Sequence, residues 1–143
     1  MSNVLVSARA FAELLSEVAS GWEDSDPERA LGAFTDDAMY IEPPDIQLFR
    51  GRDELRRYFA ALPARTLMRW QGLWFDDASQ TGAGEFSFWH EGCARASHGV
   101  AVITLHKGRI AVWREYQREG PATFKEFCQA GGKAFRWHRG NYP

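Results

Sequence analysis

Residues 95–118, RASHGVAVITLHKGRIAVWREYQR, decide the fold. Arg95 to His106 and Arg109 to Arg118 are rich in β-branched and aromatic residues and change at a period of two, which is the signature of strands. Lys107-Gly108 between them reads as a two-residue hairpin turn. Working upstream, Thr66 to Asp76 and Gly84 to Glu91 have the same character, separated by Asp-Asp-Ala-Ser and Glu-Gly-Cys, which are turn-like. The second half of the chain is therefore an antiparallel meander.

The first half has a different period. Phe11, Leu14, Leu15, Val18 and Trp22 make one apolar stripe at helical spacing, with Glu13, Ser16 and Glu17 between them. Asp26-Pro27 reads as an N-cap followed by proline in the first turn, opening a short helix through Ala30, Leu31 and Phe34 that Asp36-Asp37 ends. Ala38 to Glu42 reads as a strand stopped by Pro43-Pro44, followed by a loop from Asp45 to Gly51. Arg52 to Leu62 places Leu55, Tyr58, Phe59 and Leu62 on one face of a third helix, which Pro63 stops. From Gly120 onward a short helix is expected around Phe124, Phe127 and Cys128, then an aromatic-basic tail from Phe135 to Arg139. Helices first and a meander second define an α+β domain over residues 1–120, with residues 121–143 a helix and tail of the same unit or a dimer contact.

Composition narrows the function classes. The chain has 143 residues, with six Trp, ten Phe and four Tyr, enough to build a sizeable core without disulfides. Cys93 and Cys128 have no second Cys or His at metal-ligand spacing, so reduced thiols and no structural metal are expected. The formal charge of −2 gives no field that would draw nucleic acid or an anionic membrane. The N-terminal stretch lacks the basic-then-apolar order of a signal peptide and no apolar run has membrane-spanning length, which points to the cytoplasm. No phosphate loop, His-Glu-x-x-His or serine elbow occurs, and no cofactor is expected.

Four strings carry a family resemblance: Ala33-Phe34-Thr35-Asp36-Asp37-Ala38, Tyr40-Ile41-Glu42-Pro43, Arg50-Gly51-Arg52-Asp53-Glu54-Leu55, and Lys107-Gly108-Arg109-Ile110 running into Trp113-Arg114-Glu115-Tyr116. In order and spacing they resemble the SnoaL-like superfamily, the fold also seen in nuclear transport factor two and ketosteroid isomerase. The resemblance implies a cone-shaped curved antiparallel sheet covered by three N-terminal helices, a pocket inside the cone, and a homodimer. Glu42, directly before a proline, resembles the general-base carboxylate of ketosteroid isomerases. The two acidic donors of that family would fall at Val18 and Ala101, which cannot donate, so steroid isomerisation by that mechanism is disfavoured. Tyr40-Ile41-Glu42 and Trp113-Arg114-Glu115-Tyr116 also resemble the limonene epoxide hydrolase type. The Arg-x-Asp which that chemistry needs is absent from Glu85-Phe86-Ser87-Phe88-Trp89-His90.

Strand pairing supplies a further candidate set. A turn centred on Glu91-Gly92 puts Glu85 opposite His98, and a Lys107-Gly108 turn puts Val100 opposite Glu115, so Glu85, His98 and Glu115 are expected in one row on one face. A histidine between carboxylates would hold and pass a proton. Tyr40 would serve as a hydrogen-bond donor. Trp70, Trp89 and Trp113, by parity, are expected to line the same side, with Trp22 and Val100 completing a slot for a small hydrophobic molecule.

The resulting expectation is a cofactor-independent acid-base enzyme of isomerase, cyclase or dehydratase type. A non-catalytic small-molecule-binding or dimerisation domain is the alternative if Trp70, Trp89 and Trp113 fill the cone. Epoxide hydrolase-like water addition is a third reading.

Overall fold

A computed structural model describes residues 4–130. Helix α1 (Ala8–Glu23) starts where the Ser7 hydroxyl accepts from the Ala10 amide, and it buries Phe11, Leu15, Val18 and Trp22, the stripe read from the sequence. Helix α2 (Pro27–Leu31) starts where Asp26 Oδ1 accepts from the Arg29 amide. Strand β1 (Phe34–Glu42), strand β2 (Gln47–Arg50) and helix α3 (Gly51–Ala61) follow. Strands β3 (Thr66–Asp76), β4 (Thr81–His90), β5 (Arg95–His106) and β6 (Arg109–Pro121) form the meander, and the short helix α4 (Phe124–Gln129) comes after it.

The six strands lie in the order β2-β1-β6-β5-β4-β3. All neighbours are antiparallel except β1 and β6, which run parallel. Parallel pairing is what a return through α3 and the whole meander permits. Helices α1, α2 and α3 cover one face of the sheet and enclose the core, which contains Phe11, Phe34, Phe59, Phe86 and Trp113. Tyr40 and Trp113 stack in it at 5.3 Å and 12°. No helix among the described residues is long and apolar enough to cross a membrane.

Four local readings need correction. The second helix stops at Leu31, and Phe34, expected on it, opens β1 because the Ile110 amide bonds the Ala33 carbonyl and fixes the backbone as strand. Asp36 and Asp37 do not end a helix. They lie inside β1 where its register against β6 shifts between Phe34 and Met39, and Arg52 Nη1 donates to Asp36 Oδ1 at 3.2 Å. The expected loop before α3 holds the short edge strand β2, formed because Glu42 to Met39 pair back onto Gln47 to Arg50. The last strand also runs to Pro121, beyond the expected end at Arg118. The aromatic-basic tail from Phe135 to Arg139 lies outside the described residues.

Register matters most for the site. The turn between β4 and β5 is two residues longer than expected, so Ser87 sits opposite His98 and Glu85 opposite Val100. Between β5 and β6 the hairpin closes as expected, with Lys107 and Gly108 both at positive φ and His106 opposite Arg109. Then Leu105 pairs with Ile110 but Thr104 pairs with Val112, leaving Ala111 as the extra residue of a β-bulge. A one-residue slip sends every later side chain of β6 to the other face. Glu115 consequently sits opposite Ala101, not Val100.

Candidate functional site

Strands β1 and β6 bring the inner carboxylates together. Tyr40 lies beside Trp113, and alternation along each strand puts Glu42, Glu115 and Gln117 on the same inward face. Glu115 is 4% exposed and Glu42 8%. Tyr40 Oη donates to Glu115 Oε2 at 3.0 Å and Trp113 Nε1 donates to the same oxygen at 3.1 Å. Gln47 Nε2 donates to Glu115 Oε1 at 3.2 Å, and Gln117 Nε2 donates to Glu42 Oε1 at 2.9 Å. Among the described residues no cation lies within ion-pairing distance of either carboxylate.

Burial without a counter-ion favours the neutral acid. It pushes the Glu115 carboxyl from 4.5 up to about 7, a rise that the hydrogen bonds from Trp113 and Tyr40 oppose and the charge of Glu42 reinforces. Burial, then the Glu115 charge, holds the Tyr40 hydroxyl well above the ordinary range, so Tyr40 is a proton-bearing donor throughout the neutral range. Burial likewise pushes Tyr58 up to about 12. Because Oε2 already accepts from two donors, the Glu115 proton is best carried on Oε1.

Beside these groups is a cavity of about 20 Å³ lined by Tyr40, Tyr58, Phe88, Glu115 and Gln117. Its size suits one water molecule. Trp113 is fully buried in the aromatic core, 5.9 Å from Trp22 and 5.8 Å from Trp70, ring to ring, and these side chains occupy the cone. Trp70 Nε1 donates to the Leu15 carbonyl, which fixes its ring under α1. Trp22 is 3% exposed and its Nε1 has no partner among the described residues.

The expected row of Glu85, His98 and Glu115 does not form. The Ala111 bulge leaves Glu85, His98 and Val100 on the outer face of the sheet while Glu115 faces inward. His98 is 2% exposed there because α4 covers it, with Phe127 stacked on its ring at 4.4 Å. Its Nε2 lies 2.7 Å from the Pro121 carbonyl, which only accepts, so the proton is on Nε2 and the Ser87 hydroxyl donates to Nδ1 at 2.8 Å. Gln71 Nε2 donates to Ser87 in turn. Trp89, paired with Leu67, also lies on the outer face, where the Arg69 guanidinium sits 5.8 Å from its ring. Of the expected residues, Glu42, Glu115, Tyr40, Trp22, Trp70 and Trp113 share the interior, and His98, Glu85, Trp89 and Val100 do not reach it.

Gln47, Tyr58 and Gln117 complete the inner set and were not singled out for a site in the sequence. Tyr58 belongs to the apolar stripe of α3, and Gln117 shares parity with Trp113 and Glu115. Gln47 gave no signal, because β2 itself did not.

A curved sheet wrapped by three helices, with carboxylates at the inner end of its first and last strands, defines a cone-shaped α+β protein of the nuclear transport factor two-like class. The SnoaL-like domain family matches residues 15–113, and the chain belongs to that family. No curated protein matches the chain in sequence. Among solved structures, it is similar to a protein of cystatin-like fold from Methylobium petroleophilum PM1, at 14% identity and a TM-score of 0.72 over 98% of this chain and 99% of that one. A ketosteroid isomerase-like protein from Kribbella flavida DSM 17836 is similar at 15% identity and a TM-score of 0.67, over 84% of this chain and 87% of that one. The epoxide hydrolase/cyclase-like enzyme SalBIII, of pyran ring formation in the polyether salinomycin, is similar at 19% identity and a TM-score of 0.66, over 79% and 96%. At these identities the likeness is one of fold.

Proposed function

We propose that the protein is a cofactor-independent acid-base enzyme of isomerase, cyclase or dehydratase type that acts on a small hydrophobic substrate, with Glu115 as the group that takes and returns the proton. One observation carries this reading. Glu115 is a buried carboxylate with three side-chain donors, no cation within ion-pairing distance among the described residues, and a cavity beside it. With its carboxyl raised to about 7, both protonation states are populated near neutral pH, which is the condition for efficient proton transfer in either direction. Tyr40 holds the carboxylate in place and offers a proton to charge that develops nearby. Glu42, held by Gln117, is the second carboxylate and keeps the negative charge of the site high.

Incubation with cyclic enones, β-hydroxy ketones and epoxides, with product detection by mass spectrometry, tests the assignment. Turnover of one class should fall on the order of 10²-fold or more in Glu115→Gln, the usual loss when a positioned acid-base group is removed. Turnover that survives this substitution overturns the proposal. A specific observation favours a second reading, a non-catalytic domain: core side chains fill the cone, and the cavity at Glu115 is too small for more than one water. It predicts no turnover in the whole panel and a Glu115→Gln protein unchanged in every property except stability.

A further inference from the structure

We infer that Tyr58 is the gate residue of the Glu115 chamber and that the substrate is a hydrophobic molecule carrying one reactive oxygen, its apolar body held in the groove between β2 and α3. This inference rests on the acid-base reading of Glu115 and adds how substrate reaches it. The space in the molecule is divided unevenly. The carboxylates face a cavity of about 20 Å³, whereas an open groove of about 520 Å³ is lined by Leu48, Phe49, Glu54, Arg57, Tyr58 and Ala61. Of these two, the groove is the one within the range of about 300–1,000 Å³ that small-molecule sites occupy. Tyr58 is the residue that lines both.

Its surroundings permit movement. The Tyr58 ring stacks on Phe49 at 4.5 Å and 15° on the groove side, and lies 5.4 Å from Tyr40 on the chamber side. Phe49 belongs to β2, an edge strand of four residues hydrogen-bonded on one side only. Displacing the Phe49–Tyr58 pair therefore disturbs an edge and leaves the core stack of Tyr40, Phe34 and Trp113 in place. With the Tyr58 ring turned aside, groove and chamber become continuous. A ligand then keeps its body among Leu48, Phe49 and Ala61 and brings a single oxygen to Glu115. The chamber has room for the oxygen-bearing end alone, and Leu48, Phe49 and Ala61 offer apolar contacts to the rest of the ligand.

Equilibrium binding of 2-naphthol, a flat apolar probe with one hydroxyl, tests the gate without needing turnover. A gate open about one-tenth of the time lowers apparent affinity about tenfold, so Tyr58→Ala should bind the probe about tenfold more tightly than the wild type. Binding must depend on the chamber: because the probe meets residue 115 in the open state, Glu115→Gln should change the affinity severalfold in the Tyr58→Ala background and by a similar factor in the wild type. If near-UV circular dichroism shows that Tyr58→Ala has lost its fold, Phe49→Ala, which removes the stacked ring from the edge strand, gives the same readout. Affinity unchanged by opening the pair, or a Tyr58→Ala protein whose affinity is indifferent to residue 115, overturns the gate. The acid-base reading fails separately, when Glu115→Gln leaves turnover intact whatever 2-naphthol does.

Discussion

Glu115 makes the protein less stable as pH rises, and the size of the effect follows from its surroundings. Its carboxyl ordinarily titrates near 4.5 and is raised to about 7 in the folded chain, chiefly by burial. Below 4.5 the group is protonated in the folded and unfolded states alike, and its titration adds nothing. Between these values the folded state holds a proton that the unfolded state has released, so stability falls with each step up in pH. Above about 7 both states are ionised and the folded chain carries the full cost of a buried anion. A gap of about 2.5 pH units corresponds to about 3 kcal/mol of stability lost across that window. Urea denaturation of the wild type and Glu115→Gln, followed from about pH 5 to about pH 8, isolates this contribution because the other carboxylates titrate in both proteins. With a denaturant slope of about 2 kcal/mol/M, the difference between the two midpoints should change by about 1.5 M over the range, with the Gln protein gaining relative to the wild type as pH rises. A difference between the two proteins that stays flat with pH refutes the reasoning, since it would mean that the buried group does not change charge on folding in this window.

Tyr40→Phe removes a donor that favours the Glu115 anion, so the pH at which that stability loss is complete should move upward, read by the same titration. His98→Ala cuts the Ser87–His98–Pro121 chain and the Phe127 stack, so α4 should lose its seat: amides of Phe124–Gln129 should exchange faster, with a cost of about 2 kcal/mol for the buried bonds left unpaired. The outer sheet face exposes Tyr116 and Val100 as a cross-strand pair, and a homodimer through this face is expected. Tyr116→Lys should then halve the sedimentation mass, and a wild type that already sediments as a monomer would contradict the dimer.

The fold was legible because it depends on signals that a sequence carries locally. The α1 stripe from Phe11 to Trp22, the Asp26-Pro27 cap and the Lys107-Gly108 turn each specify their geometry through side chains a few residues apart, and the structure reproduces all three. Strand β2 was not legible. It exists by pairing with β1 across Pro43-Pro44, and Gln47 to Arg50 have no alternation strong enough to announce a strand on their own. Phe34 was drawn into the wrong element for the same reason: its helical spacing from Ala30 and Leu31 is real, but the long-range bond from Ile110 to Ala33 wins.

The longer β4–β5 turn moved Glu85 along the sheet from His98, but a single residue decided which face Glu115 takes. Local pattern placed Tyr40, Glu42 and Glu115 correctly on their strands, and the extra Ala111 then moved Glu115 away from His98 and into the core. A bulge of this kind leaves no trace in composition, since Ala111 is as ordinary in a regular strand as in an irregular one. Its consequence bears on function. A glutamine at position 115 would keep the hydrogen bonds from Tyr40 and Trp113 on its one oxygen, would need Gln47 to turn its amide and accept rather than donate, and would have no charge to bury, avoiding the loss of about 3 kcal/mol at neutral pH. A cone that serves only as packed scaffold gains nothing from the carboxylate. The cost makes sense where the charge itself is used, beside a space for one small oxygen, which is the reason the acid-base reading stands ahead of the filled cone.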